Sequence, residues 1–311
     1  ALRVQLSPQE QEAIAAKPTD NAQAYDLFLR GRSYARRMVR QDLEFAHQLF
    51  ENAVALDPAF ALAYAAMASV CAVHHYLFGR EAAWLERARE AAEKAAAIQP
   101  DLPAARVAQG WILYASGHYD EAVRLVRSVI EKKRDTESAY YLLLRALFSS
   151  GQYQEVASVA EAAIDASGTD YNVYVPIQNA LGALGKQDAL KNVRQRAIQA
   201  FEAHLRQVPE DARARILLAG AYAYEQRTAE ATREADLAMV LRPNDSNVHY
   251  NAACVFCTMS KKVEAMAALA RAWKAGFRDA DWVRRDPDLA LLHDDPEFER
   301  LYPADAGEAG Q

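Results

Sequence analysis

The chain has 311 residues, 51% hydrophobic and 25% charged, with a net charge of −6, a composition that excludes disordered and collagen-like classes. Alanine supplies 65 residues against 12 glycines and 11 prolines, and so many helix formers with so few breakers exclude a β-rich fold. No apolar run reaches the roughly 18 residues a bilayer span requires, and the acidic balance opposes a surface built for nucleic acid.

In chain order, residues 1–23 begin with Ser7-Pro8-Gln9-Glu10, a capping box with proline at the first helical position. Ile14 and Ala15 follow, and the pattern predicts a short capping helix over 7–17. From 24 to 278 one spacing returns seven times. Its second half reads Ala46, Phe50, Ala53, Pro58, then Ala88, Ala92, Ala95, Pro100, then Ala122, Val126, Val129, Arg134. The later copies are Val156, Ala160, Ala163, Gly168; Ala197, Phe201, His204, Pro209; Ala231, Ala235, Ala238, Pro243; and Ala265, Leu269, Ala272, Phe277. The first half carries a small or medium residue at Gly31, Ala68, Gly110, Leu144, Gln178, Ala219 and Ala253. Three residues later come Tyr34, Cys71, Leu113, Leu147, Leu181, Tyr222 and Phe256.

Small residues at a crossing let two helices approach closely, and larger ones fill the groove beside them. Proline then ends the second helix. Asp101, Asp211 and Asp245 follow those prolines, where N-caps belong. The repeats are placed at 24–60, 61–102, 103–136, 137–170, 171–211, 212–245 and 246–278. Extra residues in the first, second and fifth lie between the two halves of the pattern. Those of the second, around His74-His75-Tyr76, either lengthen a helix pair or form a protruding loop. Residues 279–311 are expected to cap the array with turns at Asp281-Trp282-Val283 and Pro296-Glu297-Phe298, then fray over 304–311.

This pattern resembles the tetratricopeptide repeat (TPR) family over nearly the whole chain. The resemblance implies an all-α, right-handed α-solenoid of about seven helical hairpins with N- and C-terminal helical caps. The flanks, Leu6 to Arg32 and Gly276 to Leu301, are similar to segments bordering repeat arrays in multidomain bacterial regulators. There the array follows a TolB-like segment and an adenylate cyclase, serine/threonine kinase or winged-helix effector. Ala1 in place of Met agrees with a piece of something longer.

Family geometry puts the first helices along a concave groove. The positions expected to face it are Phe28 and Arg32; Trp111 and Tyr114; Tyr141, Arg145 and Phe148; Asn172 and Asn179; Arg213 and Tyr224; Asn247 and Tyr250. Aromatics and arginine are enriched at binding hot spots. Burial of about half of them between neighbouring hairpins is the competing reading. The expected function is a non-enzymatic protein–protein interaction scaffold that binds a peptide or partner segment, the sensory or regulatory arm of a signalling protein. The alternatives are a nucleic-acid-binding helical repeat, which net charge opposes, and a homo-oligomerisation scaffold.

Motifs for chemistry are sparse. Cys254 and Cys257 form a C-x-x-C near His249, without the second ligand pair zinc requires. Three cysteines give no disulfide framework. A reducing, cytoplasmic location follows, with the outer side of a bacterial inner membrane as the alternative that the regulator resemblance implies. His74-His75 lacks a metalloprotease frame, and a solvated pair is expected. Gly182-Ala183-Leu184-Gly185-Lys186 is two residues short of a phosphate loop and reads as an interhelical turn. No cofactor, metal or catalytic set is expected. Arg30, Arg32, Arg36, Arg37 and Arg40 cluster in one stretch, which is read as a solvated face rather than an anion patch.

Overall fold

The computed structural model describes residues 18–303. The expected capping helix over 7–17 and the tail at 304–311 lie outside the described residues. Within them the chain is all-α, in helical hairpins, and no strand occurs. It divides into two compact units, Ala1–Ala180 and Leu181–Gln311.

The first unit holds four hairpins: α1 (Ala22–Ala35) with α2 (Arg40–Leu56), α3 (Ala61–Leu77) with α4 (Ala82–Ile98), α5 (Pro103–Ala115) with α6 (Tyr119–Lys132), and α7 (Ala139–Ser149) with α8 (Tyr153–Ser167). A 3-10 turn, Tyr171–Val173, leads into α9 (Tyr174–Ala183), within which the division falls. The second unit contains α10 (Gln187–Gln207), α11 (Ala212–Tyr224), α12 (Thr228–Leu241), α13 (Ser246–Thr258) and α14 (Lys262–Lys274). It closes with α15 (Ala280–Arg285), a 3-10 turn over Pro287–Leu292, and α16 (Pro296–Leu301).

The repeated small residues sit where helices cross. Ala46, Ala88, Ala122, Ala197, Ala231 and Ala265 are fully buried, as is Val156 in the one copy that departs from alanine. At Gly31 a Cβ would come within 2.6 Å of the Phe50 ring, and at Gly110 within 2.7 Å of Leu142. Only hydrogen leaves room for those neighbours. α2, α4, α10 and α12 each end two residues before a proline, at Leu56, Ile98, Gln207 and Leu241, because a residue that precedes proline is pushed out of the helical region.

Two of the three acids expected as caps do so. Asp211 accepts from the Ala214 amide, and Asp245 from those of Asn247 and Val248. Asp101 does not: Pro103 occupies the first turn of α5, so Leu102 becomes the N-cap and no side chain caps the helix. The extra residues of the second repeat lengthen its helices. α3 and α4 have 17 residues each, against 13 in α5 and 14 in α6. His74 and His75 therefore continue the inward face of α3 and are buried, not solvated. In the second unit Val283, Leu289, Leu292, Phe298 and Tyr302 are buried in the closing turns, which cover an apolar face that would otherwise meet water.

Candidate functional site

The inner face of the first unit is built from α1, α3, α5 and the start of α7. Small side chains on these helices (Ala35, Ala65, Ala66, Ser69 and Ala104) leave a partly open cavity of about 120 Å³ between them. Phe28, Phe50, Val70, Val73, Val107 and Trp111 complete its apolar wall. Its rim is polar: Arg32, Arg36, Glu137, Ser138, Asp170 and Asn172.

That rim is tied across the sequence. Glu137 receives Arg32 Nη2 at 2.6 Å and Arg36 Nη2 at 2.7 Å, while Arg36 Nε donates to it at 3.0 Å. Asn172 Nδ2 donates to the Arg36 carbonyl at 3.0 Å and to Asp170 Oδ1 at 3.0 Å. Burial favours the neutral Glu137 carboxyl, but the two guanidiniums outweigh it and hold the group below its usual range. Asp170 goes the other way: burial raises it, and the hydrogen bonds from Asn172 only partly offset that. Four of the five arginines of the first repeat are thus not freely solvated; Arg30 is exposed, 3.8 Å from Asp26. Arg37 is buried beside Asp42 and over the Tyr34 ring, and Arg40 lies over Phe78. Among the described residues five non-glycines have left-handed backbone, and two of them, Met38 (φ 46) and Ser138 (φ 64), line this cavity. Such strain persists where the surroundings over-determine it, often around ligand clamps.

Beside the cavity lies a cluster of aromatic rings. Trp111 lines the cavity, donates from Nε1 to Ser138 Oγ at 3.2 Å, and meets Tyr114 and Tyr141, each at 5.6 Å between ring centroids. The Tyr114 hydroxyl pairs with Ser149 Oγ at 3.0 Å and accepts from Arg145 Nη2 at 3.0 Å. Tyr76, from the lengthened end of α3, also accepts from Arg145. The sequence marked Tyr76 only as part of the inserted stretch and did not single out Glu137 or Asp170; none falls at a repeated position.

The expected groove residues therefore divide. Phe28, Trp111, Tyr114, Tyr141, Asn172 and Tyr250 are buried, about half of the set, as the competing reading allows. Phe28 packs on Phe50 and Phe60, and Tyr250 stacks on Phe277 and donates to Asp286. Neighbouring hairpins cover these rings, which leaves Phe28, Trp111 and Asn172 as cavity lining rather than free anchors. Arg32, Arg145, Phe148, Arg213 and Asn247 are half-buried; Asn179 and Tyr224 are exposed. Tyr224 donates to Asp288 at 2.9 Å beneath the Arg194 guanidinium. The first unit gathers Phe28, Arg32, Trp111, Tyr114, Tyr141, Arg145 and Asn172 around the cavity and the aromatic cluster. Arg213, Tyr224, Asn247 and Tyr250 belong to the second unit.

Cys254 and Cys257 share α13, and Cys254 Sγ lies 4.0 Å from Asp286. Burial first, and the charges of Asp286 and Asp288 after it, push both thiols up, Cys257 to about 12; burial pushes Cys71 likewise to about 12. His249 faces the Pro243 carbonyl at 2.8 Å. The thiolate is the reactive form, so iodoacetamide at pH 8 should label all three cysteines slowly in the folded protein and fully in denaturant. Labelling of the native chain at the rate of a free thiol, read by mass spectrometry, would contradict this environment.

Residues 85–147 match the tetratricopeptide repeat family model. No curated protein matches the sequence. Among solved structures, the human IFIT1 dimer with m7Gppp-AAAA is 16% identical; the likeness covers 76% of this chain and 55% of that one, with a TM-score of 0.56. Cut9–Hcn1, a hetero-tetramer of the APC/C, is 15% identical over 79% of this chain and 45% of that one, at 0.52. The TPR protein TTC0263 of Thermus thermophilus is 20% identical over 61% of this chain and 99% of that one, at 0.48. At such identities the likeness is one of fold.

Proposed function

We propose that the chain is a non-enzymatic binding module whose first unit seats an apolar side chain of an extended partner segment in the cavity. TPR proteins mediate protein–protein interaction, and among the described residues no group of three or more metal-ligating side chains converges. The observation that carries the reading is the cavity itself. Its volume of about 120 Å³ approaches the roughly 150 Å³ of an engineered apolar cavity that binds benzene. That suits one leucine- or phenylalanine-sized side chain. The net charge of −6 and the commitment of Arg32 and Arg36 to Glu137 support a protein partner over a polyanion.

The flanking resemblance supports a further step: the module serves as the sensory arm of a bacterial regulator on the cytoplasmic side, with an effector elsewhere in the same polypeptide. No helix among the described residues is long and apolar enough to cross a membrane.

The test is selection of random displayed peptides on the full chain. Selected peptides should carry one bulky apolar residue, and Ser69→Leu, which fills the cavity, should weaken them at least about tenfold with helical circular dichroism unchanged. Peptides that bind wild type and Ser69→Leu equally would overturn the cavity as the anchor. Affinity that collapses steeply with salt for polyanions, without peptide selection, would favour the nucleic-acid reading.

A further inference from the structure

Arg145 is the unusual cation of this molecule. Its guanidinium is half-buried on α7, 5.2 Å over the Tyr76 ring and 5.8 Å over that of Tyr114. Nη2 donates to both phenol oxygens. Burial alone would lower its proton affinity, but Tyr141, Tyr76 and Tyr114 together raise it, so it stays cationic. Among the described residues no carboxylate pairs with it, and Nε and Nη1 have no partner. The contrast within the chain is direct. Arg37, Arg194 and Arg215, also largely buried, meet Asp42, Glu225 and Glu234. A guanidinium withdrawn from water is ordinarily paired with an acid.

The Tyr141 ring is buried, but its hydroxyl, one turn before Arg145 on the same helix, is not sealed from solvent and likewise has no hydrogen-bond partner among the described residues. An unpaired cation and a free phenolic O–H on one helical face can serve the two oxygens of a carboxylate. Trp111 connects this place to the cavity, since it lines one and packs against Tyr114 and Tyr141 of the other.

We propose that Arg145 and the Tyr141 hydroxyl form a receiving site for an acidic side chain, aspartate or glutamate, on the partner segment. The nature of that ligand rests on the partner-binding reading above. The partner motif is then an apolar residue for the cavity with an acid close by in sequence. One guanidinium matches the single charge of a carboxylate, whereas a phosphate dianion would be left with charge uncompensated.

The test uses the full chain labelled with 15N-arginine, whose Arg145 Nε resonance is assigned from its loss in Arg145→Lys. Benzoate should move that resonance saturably, and benzylammonium should not. Tyr141→Phe should weaken benzoate by about threefold or more, the scale of one lost hydrogen bond. A resonance that benzoate leaves in place, or that phenyl phosphate saturates at a concentration at least about tenfold lower, overturns the proposal. In selected peptides, Asp→Asn or Glu→Gln should cost about tenfold on wild type and nothing on Arg145→Gln. Peptides indifferent to both changes would sink the acid site and leave the cavity reading standing. Benzoate binding without any selectable peptide would do the reverse. If Arg145→Gln fails to fold, the wild-type and Tyr141→Phe titrations still decide.

Discussion

Leucine in place of Ala122 or Ala231 should lower the melting temperature by several degrees, the effect of a loss of about 1–3 kcal/mol from overpacking a tight crossing. Both alanines are fully buried, Ala122 in the first unit and Ala231 in the second. Three added carbons at either site have to displace a neighbouring helix or force a strained rotamer, because protein interiors are close-packed. The control is Val240→Leu, on the same helix as Ala231 but 75% exposed, which should leave melting unchanged. Calorimetry that finds Ala122→Leu and Ala231→Leu as stable as that control would mean these alanines do not mark helix crossings.

Acid should weaken the first unit through its buried histidines. His74 is 1% exposed, with its ring stacked 4.0 Å from that of Trp84; His47 meets the same indole edge-on at 5.3 Å. Burial, with Arg40 next, lowers His74 from 6.5 to about 4, against which Glu81 acts to raise it; His47 and His75 add to the lowering. Glu44 Oε1 lies 3.4 Å from its Nε2. Burial also lowers His47, and Glu51 and Arg87 act on it in opposite senses. The folded state thus prefers the neutral rings, and as pH falls the unfolded chain takes up protons first. Stability that is present above pH 6.5 is therefore lost progressively as pH falls towards 4. For His74 the loss is on the order of 3 kcal/mol over that window. Urea unfolding at pH 7.5 and 4.5 checks this against His74→Phe, which keeps a ring on Trp84 and removes the titration. The wild type should lose more stability than the variant; equal losses would show that His74 does not carry the effect.

What could be read in the sequence and what could not separate by range. The alanines of the second helices repeat because each hairpin solves the same local crossing, so Ala46, Ala88, Ala122, Ala197, Ala231 and Ala265 announce their burial by spacing alone. Asp211 and Asp245 act within three residues of themselves and were equally legible. Asp101 failed because Pro103, two residues on, sets the first turn of α5 instead. The cavity was only half legible. Phe28, Arg32, Trp111 and Asn172 occupy positions the repeat geometry marks, yet spacing does not tell a ring that lines a hole from one that faces solvent. Trp111 is turned inward in part by its hydrogen bond to Ser138, 27 residues away, whose left-handed backbone carries no sequence signature. Glu137 was silent for the same reason: its partners Arg32 and Arg36 are about a hundred residues distant, and no periodicity encodes such a pair. His74 was misread because an inserted stretch can extend a helix or leave it, and composition does not distinguish the two.

The bond between Glu137 and the end of α1 changes how the first unit comes apart. In a stack of hairpins each element normally leans only on its neighbours, so the terminal one peels away at little cost. Here the first hairpin is held from the far side as well, by Arg32, Arg36 and the Asn172 amide. Peeling it off means breaking contacts with the turns on either side of the fourth hairpin, not with the second hairpin alone. The contacts of Arg32 and Arg36 with Glu137 are ionic and partly solvent-exposed, so salt loosens them while the Asn172 hydrogen bond and the buried alanine crossings are untouched. The first described hairpin is therefore a clasped bracelet link rather than a loose one, and ionic strength works the ionic part of the clasp.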